Sequence, residues 1–222
     1  MHVFERYLNL GDRSVRCAGL GNVAVDVRQR GRGYARRLME GCLAECEDEF
    51  EMSMLFTHIE GLYERFGFEV IPTCNVRLPA GPTGGWYEAE ELAYDDLQAY
   101  RREHASRPGT VARDVRYWAL RDSWLRAEGW RILKHRDEDG YVYVRPHAGG
   151  GSVDEATGGC ARRLLKESPG AGTWKARVPM NEDRGRVPIH EAGKVMIRAL
   201  DASLDLRRLS SPESVTWQTD SF

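Results

Sequence analysis

Val23-Ala24-Val25-Asp26-Val27-Arg28-Gln29-Arg30-Gly31-Arg32-Gly33-Tyr34-Ala35 is the stretch whose reading decides the fold. Its first five residues are a β-branched run with Val23, Val25 and Val27 on one face, which predicts a strand. The glycines at 31 and 33 then turn the chain. Beyond them Ala35, Leu38, Met39, Cys42, Leu43, Cys46 and Phe50 recur at helical spacing, so an amphipathic helix follows. A glycine turn at the head of a helix exposes backbone amides at the positive end of the helix dipole, which suits a phosphate group. Gly33 lets the backbone approach a pyrophosphate, since a Cβ there would stand between amide and anion. Arg30, Arg32, Arg36 and Arg37 supply positive charge around it.

Outward from this stretch, Tyr7 and Leu8 lead through a Gly11-Asp12-Arg13 turn to Val15, Cys17 and Leu20, a hairpin feeding the motif strand. Downstream, Met52 to Thr57 reads as a strand. A short helix through Ile59, Leu62, Tyr63 and Phe66 stops at Gly67, and Phe68 to Ile71 re-enters a strand. This alternation predicts an α/β layered fold. Pro79 to Gly85 marks a boundary. Tyr87 to Arg101 and Val111 to Glu128 read as helices, and Trp130 to Lys134 with Tyr141 to Arg145 as a hairpin. Pro146 to Gly159 holds five glycines and few apolar residues, and reads as a linker. Trp174 to Pro179 and Lys194 to Leu200 are candidate strands, and Asp201 to Leu209 a short helix or turn.

Composition removes several classes of function. The 222 residues carry a net charge of -2, so no basic footprint supports nucleic-acid binding. Five irregularly spaced cysteines, with no signal peptide and no apolar run of about 18 residues, point to a reducing, cytoplasmic setting without a membrane partner. A P-loop needs Lys-Ser/Thr after its last glycine, where Tyr34-Ala35 stand. A dinucleotide fingerprint needs glycine at 36, which is arginine, and an acid after the next strand, where Thr57-His58 stand. Cys42 and Cys46 lie on the apolar stripe of the helix, and none of His2, His104, His135, His147 and His190 has a ligand-spaced partner, so no metal is expected. His58 either faces a substrate or caps the turn before Ile59. Glu88, Glu90, Glu91, Asp95 and Asp96 form an acidic face that is solvated or draws cationic amines.

The glycine turn resembles the pyrophosphate loop of the GNAT N-acetyltransferases, Gln/Arg-x-x-Gly-x-Gly/Ala, whose fixed positions are met by Arg30, Gly33 and Ala35. Leu62-Tyr63-Glu64-Arg65-Phe66-Gly67-Phe68 is similar to the family's aromatic-Tyr-x-x-x-Gly-Phe segment. The resemblance implies acetyl-CoA as cosubstrate. Its pantetheine arm would pair with the backbone of Val25 and Val27, and its pyrophosphate would rest on the amides of Arg28, Arg30, Gly31, Arg32, Gly33, Tyr34 and Ala35. It further implies direct attack by a primary amine, with Tyr63 protonating the departing thiolate. Without the resemblance, Tyr63 is a core aromatic beside Leu62 and Phe66.

A narrower resemblance is to the enhanced-intracellular-survival (Eis) acetyltransferases, which join a GNAT domain, a degenerate GNAT-like domain and a sterol-carrier-like domain. It rests on the hairpin Tyr7 to Leu20, on Arg107-Pro108-Gly109 before a helix with Arg113 and Tyr117-Trp118, and on Val195 to Asp201. It implies that the terminal carboxylate, carried by Phe222, reaches the active site as a base. The family places two strands and two helices before the hairpin, whereas about twenty residues precede Val23, and only 21 follow Asp201. The expectation is therefore a truncated member of α/β, partial GNAT fold with a second, smaller GNAT-like unit. Residues 1–79 would be the acetyl-CoA-binding domain, 86–145 the second unit, 146–193 a Gly-rich linker and 194–222 a remnant of a third domain. The activity implied is acetyl transfer to an amine-bearing small molecule or peptide, the alternative being a catalytically silent acetyl-CoA-binding module. The unpaired hairpin edge predicts self-association.

Overall fold

The structure, a computed structural model, describes residues 1–78, 82, 84–166, 174–178 and 194–211. Among these, the strands form two sheets. The first opens with the hairpin of β1 (His2–Asn9) and β2 (Ser14–Gly21), in register from His2↔Gly21 to Asn9↔Ser14. Gly11, at φ 103, allows its tight turn. Helix α1 (Tyr34–Glu47) carries the chain over to β3 (Met52–Thr57), which lies parallel to β2 from Cys17↔Met52 to Leu20↔Leu55. The short α2 (Glu60–Glu64) returns it to β4 (Glu69–Val70).

One strand of this sheet comes from far along the chain. Lys194–Ala199 forms β11, which lies between β3 and β4 and is antiparallel to both. This segment was expected to open a third domain, but its β-branched and apolar residues are spent in the first sheet. Alternation divides that sheet's two faces. Ala18, Leu20, Leu55 and Met196 meet Met39, Leu43 and Cys46 of α1, together with Tyr63 and Phe68. Leu8, Val15, Cys17, Met52, Met54, Val195 and Ile197 form the opposite face with Val111, Leu204 and Leu209. Truncating a buried leucine such as Leu43 costs about 2–5 kcal/mol, so the helical spacing of the motif helix is what fixes α1 to the sheet.

The second sheet is built from β5 (Cys74–Leu78), β6 (Trp86–Ala89), β7 (Arg131–His135), β8 (Val142–His147), β9 (Gly150–Ala156) and β10 (Trp174–Val178), in the order β5-β10-β9-β8-β7-β6. The hairpin expected at Trp130 to Arg145 is the β7–β8 pair. Helices α3 (Tyr94–His104) and α4 (Val115–Ala127) precede β7, and α5 (Gly158–Lys166) follows β9. Because β9 and β10 are parallel, β9, α5 and β10 repeat the strand-helix-strand arrangement of β2, α1 and β3. The observed fold is a mixed α/β fold of two sheets.

Three local expectations are corrected. Residues 22–26 lie outside the sheet: Asn22 takes φ 54, β1 has already paired His2 with Gly21, and β3 pairs no further than Leu20. Residues 87–93 are not helical, because Trp86–Ala89 pairs with β7 and the Asp96 carboxylate accepts the Ala93 amide at 2.8 Å, starting α3 there. The stretch read as a linker from Pro146 to Gly159 contains all of β9 and the start of α5. Its glycines serve close packing: a Cβ on Gly151 would overlap the Trp174 ring, and one on Gly158 would crowd the Asp139 carbonyl at 2.9 Å.

Candidate functional site

The chain leaves β2 at Gly21 and builds the motif loop before α1. Asp26 Oδ1 accepts the Arg28 amide at 2.8 Å and nucleates a single 3-10 turn over Val27–Gln29. Gly31 at φ 79 and Gly33 at φ 76 then take left-handed conformations, and α1 starts at Tyr34. Gly33 occupies the N-cap and has no side chain with which to satisfy the first amides of α1. A Cβ built on Gly31 or Gly33 would meet no atom within 4 Å, so this side of the turn is open space. Leaving the sheet also frees the segment before the turn, since among the described residues no hydrogen bond joins the backbone of Ala24 or Val25 to a neighbouring strand.

Ala24, Val25, Asp26, Gln29, Tyr34, Arg37 and Leu38 line an open cleft of about 640 Å³ beside this turn. Arg36 is neutralised by Glu40 at 2.7 Å, one helical turn on. Arg28, Arg30, Arg32 and Arg37 make no ion pair among the described residues. Arg30 Nε reaches the Val25 carbonyl at 3.4 Å, and the Arg37 guanidinium stacks on the Tyr34 ring at 4.8 Å. An uncapped 14-residue helix, two left-handed glycines and the cleft-lining Arg37 form a cradle that fits a phosphate-bearing ligand, with Arg28, Arg30 and Arg32 in the loop before it. Val25 lines the cleft. Val27 does not belong to a strand, and its side chain is 70% exposed in the 3-10 turn.

Tyr63 lies on α2, which packs on the same face of the sheet as α1. The ring is buried, edge-on to Phe68 at 6.2 Å, and its carbonyl closes the helix by accepting the Phe66 amide at 2.9 Å. Gly67, at φ 78, turns the chain out of α2. Burial pushes the phenol above its ordinary value, so it is protonated at neutral pH. The remaining sequence candidates distribute differently. Phe222 lies outside the described residues. Thr57 Oγ1, not His58, accepts the Ile59 amide at 3.0 Å, while His58 stands edge-on to Phe56. The acidic face is divided: Glu88 pairs with Arg131 at 3.4 Å from a strand and Asp96 is buried against Lys134 at 2.8 Å, while Glu90, Glu91 and Asp95 are exposed. The cysteines sit in the core, and burial pushes Cys46 up to about 12 and Cys160 up to about 11, far from a reactive thiolate.

Sequence reasoning passed over two features. Gln29 and Leu38 of the cleft carry no motif signal. The other is a buried charge cluster under the second sheet, where Glu155 of β9 accepts Arg113 Nη1 at 3.0 Å and Nη2 at 2.6 Å, Arg121 Nη2 at 2.7 Å and the Tyr141 hydroxyl. Burial alone would raise the Glu155 carboxyl, but Arg113 and Arg121 outweigh it and hold it down at about 2. The only sequence hint was the placement of both arginines on one helix with an acid in a later segment.

Residues 1–71 match the family model of the acetyltransferase (GNAT) domain. No curated protein matches the sequence. Among solved structures, a GCN5-related N-acetyltransferase from Kribbella flavida superposes with a TM-score of 0.60 at 20% identity, covering 90% of this chain and 57% of that one. Eis1 from Mycobacterium abscessus gives 0.59 at 20% identity, covering 90% and 60%. A probable N-acyltransferase from Enterococcus faecalis gives 0.63 at 17% identity, covering 90% and 58%. The fold is that of GNAT acetyltransferase structures, and the chain spans less than two thirds of the length of these three. No helix among the described residues is long and apolar enough to cross a membrane.

Proposed function

We propose that the chain binds acetyl-CoA in the cleft before α1 and transfers the acetyl group to a primary amine on a small molecule or peptide. The observation that carries this reading is the uncapped start of α1 behind Gly31 and Gly33, with Arg37 lining the cleft and Arg28, Arg30 and Arg32 in the loop that leads to it. The amides of Gly31, Gly33, Tyr34 and Ala35 would hold the pyrophosphate, and the freed backbone at Val25 would take the amide-bearing arm. Val27 contributes through its backbone at most, since its side chain is turned to solvent.

The bound cosubstrate supplies an activated thioester, at whose carbonyl carbon the amine forms a C–N bond as the C–S bond breaks. The protein's part is to orient the two reactants and to hold a proton for the sulfur. Tyr63 is suited to the second task because burial keeps its phenol protonated where a thiolate is a weaker base. The match of residues 1–71 to the acetyltransferase domain and the shared fold support the reading. We place the protein in the cytoplasm on its free cysteines.

The test is thiol release from acetyl-CoA across a panel of primary amines. Amine-dependent release is expected. Thermal stabilisation by acetyl-CoA without release for any amine would leave a binding module and overturn the catalytic part.

A further inference from the structure

A second cleft, of about 720 Å³, lies between the edge strand β1 and helices α3 and α4. It is basic. Arg6, Arg101, Arg113 and Arg116 all line it. Its two acids are already engaged: Glu5 pairs with Arg16 at 2.7 Å and accepts the Tyr7 hydroxyl at 3.1 Å, while Asp114 caps α4 by accepting the Tyr117 amide at 2.6 Å. Arg113 is anchored on Glu155, and Arg6 is stacked on Phe4 at 5.4 Å and Tyr117 at 4.9 Å. Arg101 and Arg116 are exposed and make no ion pair among the described residues. The charge of Arg113 is spent on Glu155, so the cleft offers the stacked Arg6 in its wall and the exposed Arg101 and Arg116 at its mouth, an arrangement suited to carboxylate or phosphate.

The cleft's position ties it to the acyl-transfer site. Glu5, Arg6 and Tyr7 are in register with Ala18, Cys17 and Arg16. These lie three to five residues before Gly21, where β2 leaves the sheet, a span of roughly 10–17 Å at about 3.3 Å per residue. We propose that this cleft receives an anionic group of the acceptor, so that the acceptor is an amine bearing a carboxylate or a phosphate. This deepens the acetyltransferase reading and rests on it for the word acceptor, but the anion site itself does not. It differs from the expectation of an acidic surface drawing cationic amines, of whose five carboxylates Glu88 is paired with Arg131 and Asp96 with Lys134.

The experiment uses matched acceptors in the thiol-release assay: β-alanine against β-alaninamide for a carboxylate, and 2-aminoethyl phosphate against ethanolamine for a phosphate. The anionic member of at least one pair should be favoured about ten- to hundredfold in kcat/KM, the worth of one or two charge-assisted hydrogen bonds. The pair that shows the preference identifies the anion. In the double variant Arg101→Gln/Arg116→Gln the preference should fall toward one, with acetyl-CoA affinity retained as evidence of folding. Equal rates within both pairs, or a preference that survives the double variant, would overturn the proposal. If no amine is turned over, the acetyltransferase reading fails, and calorimetry with succinate and inorganic phosphate decides this site alone. That titration is done in a Gly33→Glu background, which closes the first cleft to anions. Binding weakened about tenfold or more by the two arginine substitutions supports the site, and absent or unaltered binding removes it.

Discussion

Tyr63 and Glu155 show how little a residue's type says about its task until its surroundings are known. Both are buried polar groups on apolar elements. Tyr63 sits beside the face that carries α1, with its phenol pushed up by burial. Tyr63→Phe keeps the ring against Phe68 and removes only the proton, so kcat for amine acetylation should fall about 10²- to 10⁴-fold while acetyl-CoA affinity holds. A variant with full kcat, measured by steady-state thiol release, would return Tyr63 to a packing role. Glu155 is instead the centre of a buried cluster, and Glu155→Gln removes the negative charge that Arg113 and Arg121 share there. Denaturant unfolding should register a loss of about 3–5 kcal/mol. The motif at 30–35 made the candidate cradle legible because glycine and arginine carry their chemistry in their names. Glu155 was illegible because its partners lie 42 and 34 residues away.

Elements were legible where periodicity is local. The 3.6-residue repeat from Ala35 to Cys46 marked α1, and the run Met52 to Thr57 marked β3. What failed depended on partners. The alternation of Val23, Val25 and Val27 satisfies strand propensity, yet no neighbouring strand extends far enough to pair with it. The glycines of β9 read as flexible because the Trp174 ring that requires Gly151 lies across the sheet on β10. Gly151→Leu should therefore destabilise the fold by more than 1 kcal/mol in denaturant unfolding, whereas a flexible linker would tolerate it without change. The hairpin edge was expected to be bare, and the structure covers part of it. Asn9 and Tyr7 exchange backbone hydrogen bonds with 109–112, at 2.7 to 2.9 Å. The outer edge from His2 to Arg6 has no strand beside it among the described residues. Sedimentation velocity should detect association that Val3→Lys weakens, and a concentration-independent monomer would count against that edge as an interface.

At the scale of the molecule, the two sheets are held by buried polar groups whose charge states make stability depend on acid. His104 is buried, and burial lowers its imidazole from 6.5 to about 4. The unfolded chain therefore binds a proton that the folded chain refuses, and stability declines as pH falls from about 6.5 to about 4. Glu155 is held down at about 2 against an ordinary 4.5, so its contribution is present above about 4.5 and is lost as pH falls toward 2. Denaturant midpoints measured across this range should fall in both windows, and a flat profile between pH 6.5 and 4 would contradict the buried neutral His104. The central claim, however, is the phosphate cradle at the head of α1, and calorimetry of acetyl-CoA against two substitutions at one position tests it most directly. Gly33→Ala meets no neighbouring atom and costs only the left-handed strain of about 1 kcal/mol, so the protein folds and its affinity weakens modestly. Gly33→Glu carries the same strain plus a carboxylate at the place where the pyrophosphate rests, and is expected to abolish binding. Acetyl-CoA bound by a folded Gly33→Glu protein as tightly as by Gly33→Ala would contradict the cradle and the function read from it.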